Sequence, residues 1–502
     1  MVQTLPLQTP WCGSEIGVVA AVSETKASSP RTAGRGILRL LPDGAPTTPC
    51  RHSRHSRQGV AGWIVALALV ATAGCGGGKT LVRNEGAIAA SEARATTFPR
   101  STALFLAQDH LPGAATLAKS DVVVIDSEWA HRLPASFFAE IRRLNPRVRL
   151  LAYVNVVDRP RSIGSRDYYA NRYDLWQFDG RQRSKLPLGW LARTASGQLV
   201  SEFPDTDMTN MTGVVKGRRF ADYAVDWMVR KVWASGVWDG LFLDVWGDLV
   251  YDVSQDSWDA NGDGRDESNR SIFGRGKAWE RAVSAAEASL RRRIPKALLV
   301  ANGTRTLAEN RLDGRVWESF ADPLRGRDAS FDLRDYVTLA STPGHRLPGL
   351  MMTINRLPQA GSLDGVDYRR ARSFLTGTLL QNGYWASTGV NYDRLVAYDE
   401  MDGGGRGRGY LGKSLVPSPT WSQVSGKFRK GIGDLGGKVY RRDFANGIVM
   451  HNAGTDPVTV KLERHYWHIK GTQDPVINDG AKVTEVTIAS DDGLILVRKP
   501  TP

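Results

Sequence analysis

Between Thr102 and Ser387 the chain alternates short apolar runs with amphipathic ones, and nothing else in it narrows the possible folds as much. The β-like runs are residues 103–107, 122–125, 149–155, 240–244, 297–301, 316–320, 350–354 and 384–387. Helical patterns separate several of them: residues 134–144, 277–293 and 367–380 precede the third, fifth and eighth runs. In 277–293, Trp279, Val283, Ala286 and Leu290 share one face. In 220–235, Phe220, Tyr223, Ala224, Trp227 and Met228 do the same, and Gly236 follows where a helix would stop. Eight strands with helices between them predict an α/β fold, a (β/α)8 TIM barrel, better than an open sheet.

The fourth run, Leu241-Phe-Leu-Asp244, is apolar and ends abruptly in a carboxylate. The sixth, Val316-Trp-Glu-Ser-Phe320, brings Glu318 to a second strand tip. Parallel barrels carry catalytic groups at the C-terminal ends of their strands. Strands four and six lie two apart, so Asp244 and Glu318 are expected to face each other across the central cleft. Glycoside hydrolysis needs such a pair, one carboxyl ionised and the other protonated. Burial beside Trp317 is expected to hold the proton on Glu318. The bland alternative is two unrelated surface acids, Asp244 merely capping the next helix.

Other strand ends are candidates for sugar contact: Asp126 and Glu128 after the second run, Tyr153 and Asn155 in the third, Asn302 after the fifth, and the indoles of Trp246 and Trp317. Each polar group would serve equally well to satisfy loop backbone. In a continuing strand Asp126 and Glu128 would share a face, which makes them the reserve acid pair. The connection 156–216 is far longer than an ordinary loop and carries Tyr168, Tyr169, Tyr173, Trp176, Phe178 and Trp190. Long excursions of this kind are functional lids or binding loops. Its rings suit stacking on sugar, Trp190 among them, or the packing of a small subdomain.

Asp259-Ala-Asn-Gly-Asp-Gly-Arg-Asp266 repeats oxygen donors at alternate positions with Gly264 sixth. That is the first half of a calcium loop, but Arg270 stands where the closing acid of an EF-hand would be. A partial structural Ca²⁺ site on Asp259, Asn261, Asp263 and Asp266 is the expectation, against an Asx-rich turn without metal. No cofactor is required by the chemistry.

Ahead of the barrel, residues 1–57 are rich in Ser, Thr, Pro, Gly and Arg and lack periodicity, as disordered segments do. Arg51 to Arg57 then forms a positive stretch, residues 60–73 a mostly apolar one, and Thr72-Ala-Gly-Cys75 a small-residue end. This is the layout of a secretory signal (58–75). The small residues before a cysteine resemble a bacterial lipobox, which implies lipidation of Cys75 and anchoring to the outer membrane or cell surface, against an ordinary signal peptide with a chance cysteine. Cys12 and Cys50 are the only other cysteines, so residues 76–502 have no disulfide framework. So long a segment before the positive stretch predicts a translation start nearer the apolar run. Residues 76–100 read as a tether, 101–392 as the barrel, and 393–435 as a Gly-rich linker. Residues 436–500, short strands with turn signals, read as a small all-β sandwich. The net charge of +14 is dispersed, with no dense basic block beyond the N-terminal region, so nucleic acid is not an expected partner.

Trp238-Asp-Gly-Leu-Phe-Leu-Asp244, Trp317-Glu318, and the stretch from Tyr440-Arg-Arg-Asp-Phe-Ala-Asn-Gly447 to Asp492-Gly-Leu-Ile-Leu496 resemble the hypothetical glycosyl hydrolase family 15. That group is similar in turn to the endo-α-1,4-polygalactosaminidase-like barrels. The resemblance runs from about residue 102 to 498. It implies a retaining mechanism with Asp244 as nucleophile and Glu318 as acid/base, acting on a poly- or oligosaccharide. The rival expectation is a non-catalytic envelope lipoprotein that binds glycan on the same scaffold.

Overall fold

The computed structural model describes residues 97–303, 311–318, 320, 329–341, 349–357 and 365–500. The signal-like segment, Cys12, Cys50 and Cys75 lie outside them. Among the described residues no helix is long and apolar enough to cross a membrane.

Eight parallel strands form one sheet in chain order: β1 (Thr102–Phe105), β2 (Val122–Asp126), β3 (Arg149–Asn155), β4 (Gly240–Asp244), β5 (Leu298–Ala301), β6 (Gly314–Glu318), β7 (Met352–Leu357) and β8 (Tyr384–Gly389). Closure comes from Ser101 pairing with Trp385, whose backbone N–H donates to Arg100 O at 3.0 Å. The expected TIM barrel is therefore present. Crossover helices cover it: α1 (Ala135–Leu144), α2 (Phe220–Trp227), α3 (Ala278–Arg293), α4 (Ala329–Ala340) and α5 (Gly365–Leu379). After Trp227 the chain continues through a π-helical turn and a 3₁₀ turn, and stops at Gly236 with φ +74°. Gly240 opens β4 because a Cβ there would lie 2.1 Å from Leu298 O.

Strand side chains alternate between two layers. Leu104, Val122, Val124, Leu151, Phe242, Leu298, Val300, Val316, Met352 and Ile354 fill the barrel interior. Their neighbours Val123, Ile125, Leu150, Leu241, Leu243, Leu299 and Trp317 join the outer layer with Phe138, Ile141, Trp279, Val283 and Leu290 of the helices. This parity decides which strand-tip residues reach the cleft.

Residues 156–216 form a packed subdomain held by a ribbon, Asp158–Pro160 against Thr206–Met208. Tyr173, Trp176, Phe178 and Trp190 are all buried in it, whereas Tyr168 is 47% exposed.

The C-terminal all-β region is a six-stranded antiparallel sheet curved as a half-barrel. Its strands are β9 (Ile432–Asp434), β10 (Val439–Asp443), β11 (Gly447–Asn452), β12 (Val458–His468), β13 (Lys482–Ile488) and β14 (Asp492–Val497), in spatial order β9-β10-β11-β14-β12-β13. One face has its own core of Ile448, Met450, Leu494 and Leu496. On the other, Val449, Ile495 and Val497 pack with Ala371, Phe374 and Leu375 of α5. Arg372 of α5 crosses this seam to Asp492, at 3.0 Å, and to Asp474.

Candidate active site

Five inward-facing positions converge at the C-terminal mouth of the barrel. Asp244 continues the inward side of Phe242, Glu318 that of Val316, Tyr153 that of Leu151, Asn302 that of Val300, and Arg356 that of Ile354. The Tyr153 hydroxyl donates to Asp244 Oδ2. Asn302 Nδ2 donates to Asp244 Oδ1 at 2.9 Å and to Glu318 Oε2 at 3.2 Å. Glu318 Oε1 accepts from the Tyr392 hydroxyl, and Arg356 Nε stands 3.7 Å from the same oxygen. The two legs of the Asn302 bridge bring one oxygen of each carboxylate within about 6 Å of the other, close enough for both groups to reach a single anomeric carbon.

The environments of the two acids differ. Desolvation pushes the Asp244 carboxyl above the ordinary carboxylate range, and the donors Tyr153 and Asn302 oppose it while the charge of Glu318 adds to it. Both phenols, Tyr153 and Tyr392, are raised well above the usual tyrosine range by burial, so they remain hydroxyl donors. Glu318 is exposed to the cleft. The expected burial beside Trp317 is not found, because neighbouring strand residues point to opposite faces. The Trp317 ring packs on Tyr336 in the outer layer, and its indole N–H donates to Asp335.

Two other tryptophans also leave the sugar-contact set. After Asp244 the backbone turns at Val245, φ 51°, in the left-handed region. This kink sends Trp246 outward, where it is 1% exposed and its indole donates to Glu287 at 3.1 Å. Trp190 stacks on Tyr223 of α2, between the subdomain and the barrel helix, with its indole N–H on Arg218 O.

The reserve acids are engaged elsewhere. Strand β2 ends at Asp126, so Glu128 does not share its face. Asp126 pairs with Arg172. Glu128 accepts the backbone N–H of Asn171 at 3.0 Å and of Arg172 at 2.8 Å, pinning a helix start of the 156–216 subdomain to the barrel. Burial and the charge of Asp126 push Glu128 up to about 7. Asn155 closes an Asx turn, its Oδ1 accepting from Val157 and Asp158 N–H, and its Nδ2 holds Asp158 Oδ2 at 2.9 Å.

The calcium-like loop is closed by its own backbone. Asp259 Oδ1 accepts from Gly262 and Asp263 N–H and Oδ2 from Gly264 N–H, while Asn261 Oδ1 and Asp263 Oδ1 also cap backbone amides. Asp266 turns away to the N–H of Ala195. Among the described residues no three His, Cys, Asp or Glu stand where they would share a metal.

Sequence reasoning missed Tyr392 and Arg356. Arg356 was accessible by parity, since it follows Met352 and Ile354 on the inward side. Tyr392 lies on the loop after β8 with φ 56°, and no periodicity marks it.

The family model for the hypothetical glycosyl hydrolase family 15 matches residues 142–448. Among solved structures, the glycoside hydrolase domain of PelA from Pseudomonas aeruginosa aligns at 16% identity and TM-score 0.36, covering 59% of this chain and 98% of that one. Amy13B of Eubacterium rectale aligns at 8% identity and TM-score 0.39, covering 80% and 96%. The maltogenic α-amylase AmyB of Thermotoga neapolitana aligns at 10% identity and TM-score 0.36, covering 80% and 97%. No curated protein matches the sequence. With more than half of its length inside the family match, the chain belongs to the hypothetical glycosyl hydrolase family 15 and is an enzyme of the glycoside hydrolase class.

Proposed function

We propose that the enzyme hydrolyses an O-glycosidic bond of a poly- or oligosaccharide with retention, Asp244 serving as nucleophile and Glu318 as acid/base. The observation that carries this reading is the single Asn302 nitrogen in hydrogen-bonding contact with both carboxylates. Retaining enzymes hold their carboxyls about 5–5.5 Å apart and inverting ones about 6.5–9.5 Å, and contact of both carboxylates with one nitrogen favours the shorter spacing.

Asp244 is fixed from both sides by neutral donors, which suits a group that must approach an anomeric carbon in one geometry. One of its oxygens bonds to that carbon as the bond to the leaving oxygen breaks, and Glu318 gives its proton to that oxygen. In the second half, Glu318 takes a proton from water. The hydroxide equivalent attacks the anomeric carbon, and the Asp244 ester bond breaks. Glu318, on the open side of the cleft, is reachable first by the leaving group and then by water.

The test is reducing-end release from a panel of polysaccharides. Asp244→Asn and Glu318→Gln are each expected to lower turnover by at least about 10³-fold with an unchanged melting temperature. Near-normal release by either variant removes that residue from the mechanism.

Export and lipid anchoring at Cys75 complete the proposal, supported by the run from Arg51 to Cys75. Mass spectrometry of the membrane fraction tests this: a lipid adduct lost in Cys75→Ser supports it, and an unmodified thiol rejects it.

A further inference from the structure

The excursion carries a second acid pair that hydrolysis does not use. Asp158, three residues past the tip of β3, is 2% exposed. Its Oδ2 is held by Asn155. Its Oδ1 and Glu202 Oε2 are both buried without a donor, and the two carboxyls meet each other in hydrogen-bonding contact. Two ionised carboxylates so placed would repel one another and leave two acceptors unsatisfied. One proton between them satisfies both. The charged groups facing the pair are Asp244 from β4 and Asp252 from the loop after it, both acidic. Among the described residues no Arg, Lys or His lies within ion-pair distance of either acid. Asn155, which grips Asp158, stands directly opposite Asp244 in the β3–β4 register.

We propose that Asp158 and Glu202 share one proton and act as a unit that positions the flank of Asp244. The protonated pair keeps Asn155 in place and keeps an additional full charge away from Asp244. Its consequence for catalysis rests on the proposed role of Asp244, whereas the shared proton does not.

Burial pushes Asp158 up to about 7, and it pushes Glu202, which also faces the charge of Asp158, up to about 10. The two titrate as a pair. A carboxyl that binds its proton more tightly folded than unfolded takes one up on folding, so the pair's contribution to stability is largest at low pH. That contribution declines as pH rises from the ordinary carboxylate range through 7 and beyond. Once the shared proton is lost, two facing charges push Asn155 from its place.

The test compares full-length wild type with Glu202→Gln, whose amide N–H stands where the shared proton would, and with Asp158→Asn in case the first variant fails to fold. The pH dependence of unfolding between pH 5 and 8 is expected to report about one proton fewer taken up by either variant than by wild type. Wild-type-minus-variant infrared difference spectra at pH 7 should show the protonated-carboxyl intensity that either substitution removes. On a polysaccharide cleaved by wild type, Glu202→Gln should retain cleavage at alkaline pH where wild type has lost about tenfold. An unchanged proton count with an unchanged infrared band overturns the shared proton. A lost proton with an identical alkaline limb overturns the positioning role. An active Asp244→Asn would instead remove Asp244 as the nucleophile and leave the proton count intact.

Discussion

Asn302 Nδ2 lies 2.9 Å from Asp244 Oδ1, and the second hydrogen of that amide points to Glu318, 3.2 Å away. The carboxamide is a spacer that fixes the separation of two groups that would otherwise repel. Asn302→Ala should lower kcat by about 10²–10³-fold, the usual cost of removing one preorganised donor, with a smaller change in KM. Asn302→Asp, which sets a third carboxylate between the first two, should be worse. Steady-state kinetics decide it, and an unchanged kcat in Asn302→Ala would make the bridge incidental.

The acid limb of the pH profile should follow Asp244. As the proposed nucleophile it would react as the carboxylate, and its raised proton affinity means activity should fail at a higher pH than for an ordinary aspartate as the solution is acidified. The Tyr153 hydroxyl favours the carboxylate, so Tyr153→Phe should move the acid limb of kcat/KM to still higher pH. A limb that stays in place, or moves down, would dissociate it from Asp244.

Glu128 is a clasp. Its two oxygens take up backbone amides that open the helix Ala170–Trp176. Glu128→Ala leaves those donors without an acceptor, which costs about 1–3 kcal/mol each when they stay buried. Limited proteolysis should then cut within residues 156–216 well before the barrel. Cutting at the wild-type rate would show that other contacts hold the subdomain.

The barrel could be read from the chain because each inner strand is a short apolar run between helical patterns, and Asp244 could be read because a carboxylate ends such a run. Parity, applied strand by strand, carries Glu318, Asn302 and Tyr153 to the same mouth. The aromatic assignments failed for local backbone reasons. Trp317 has the opposite parity to Glu318, and Trp246 is turned out by one left-handed residue, Val245, that a β-branched side chain gives no cause to expect. Trp190 belongs to a subdomain whose packing depends on residues scattered between Ile163 and Tyr223. Tyr392 and Glu202 come from loops whose positions are set by tertiary contacts, far in sequence from Glu318 and Asp158, which they touch.

The stereochemistry of the first-released sugar tests the paired carboxylates most directly. Proton NMR, begun as the wild-type enzyme starts to act on a polysaccharide it cleaves, identifies the anomer formed before mutarotation. Retention is the expected result, since one Asn302 nitrogen contacts both Asp244 and Glu318, which favours the shorter spacing of retaining carboxyls. First release of the opposite anomer would contradict the double displacement and the role of Asp244 as its nucleophile.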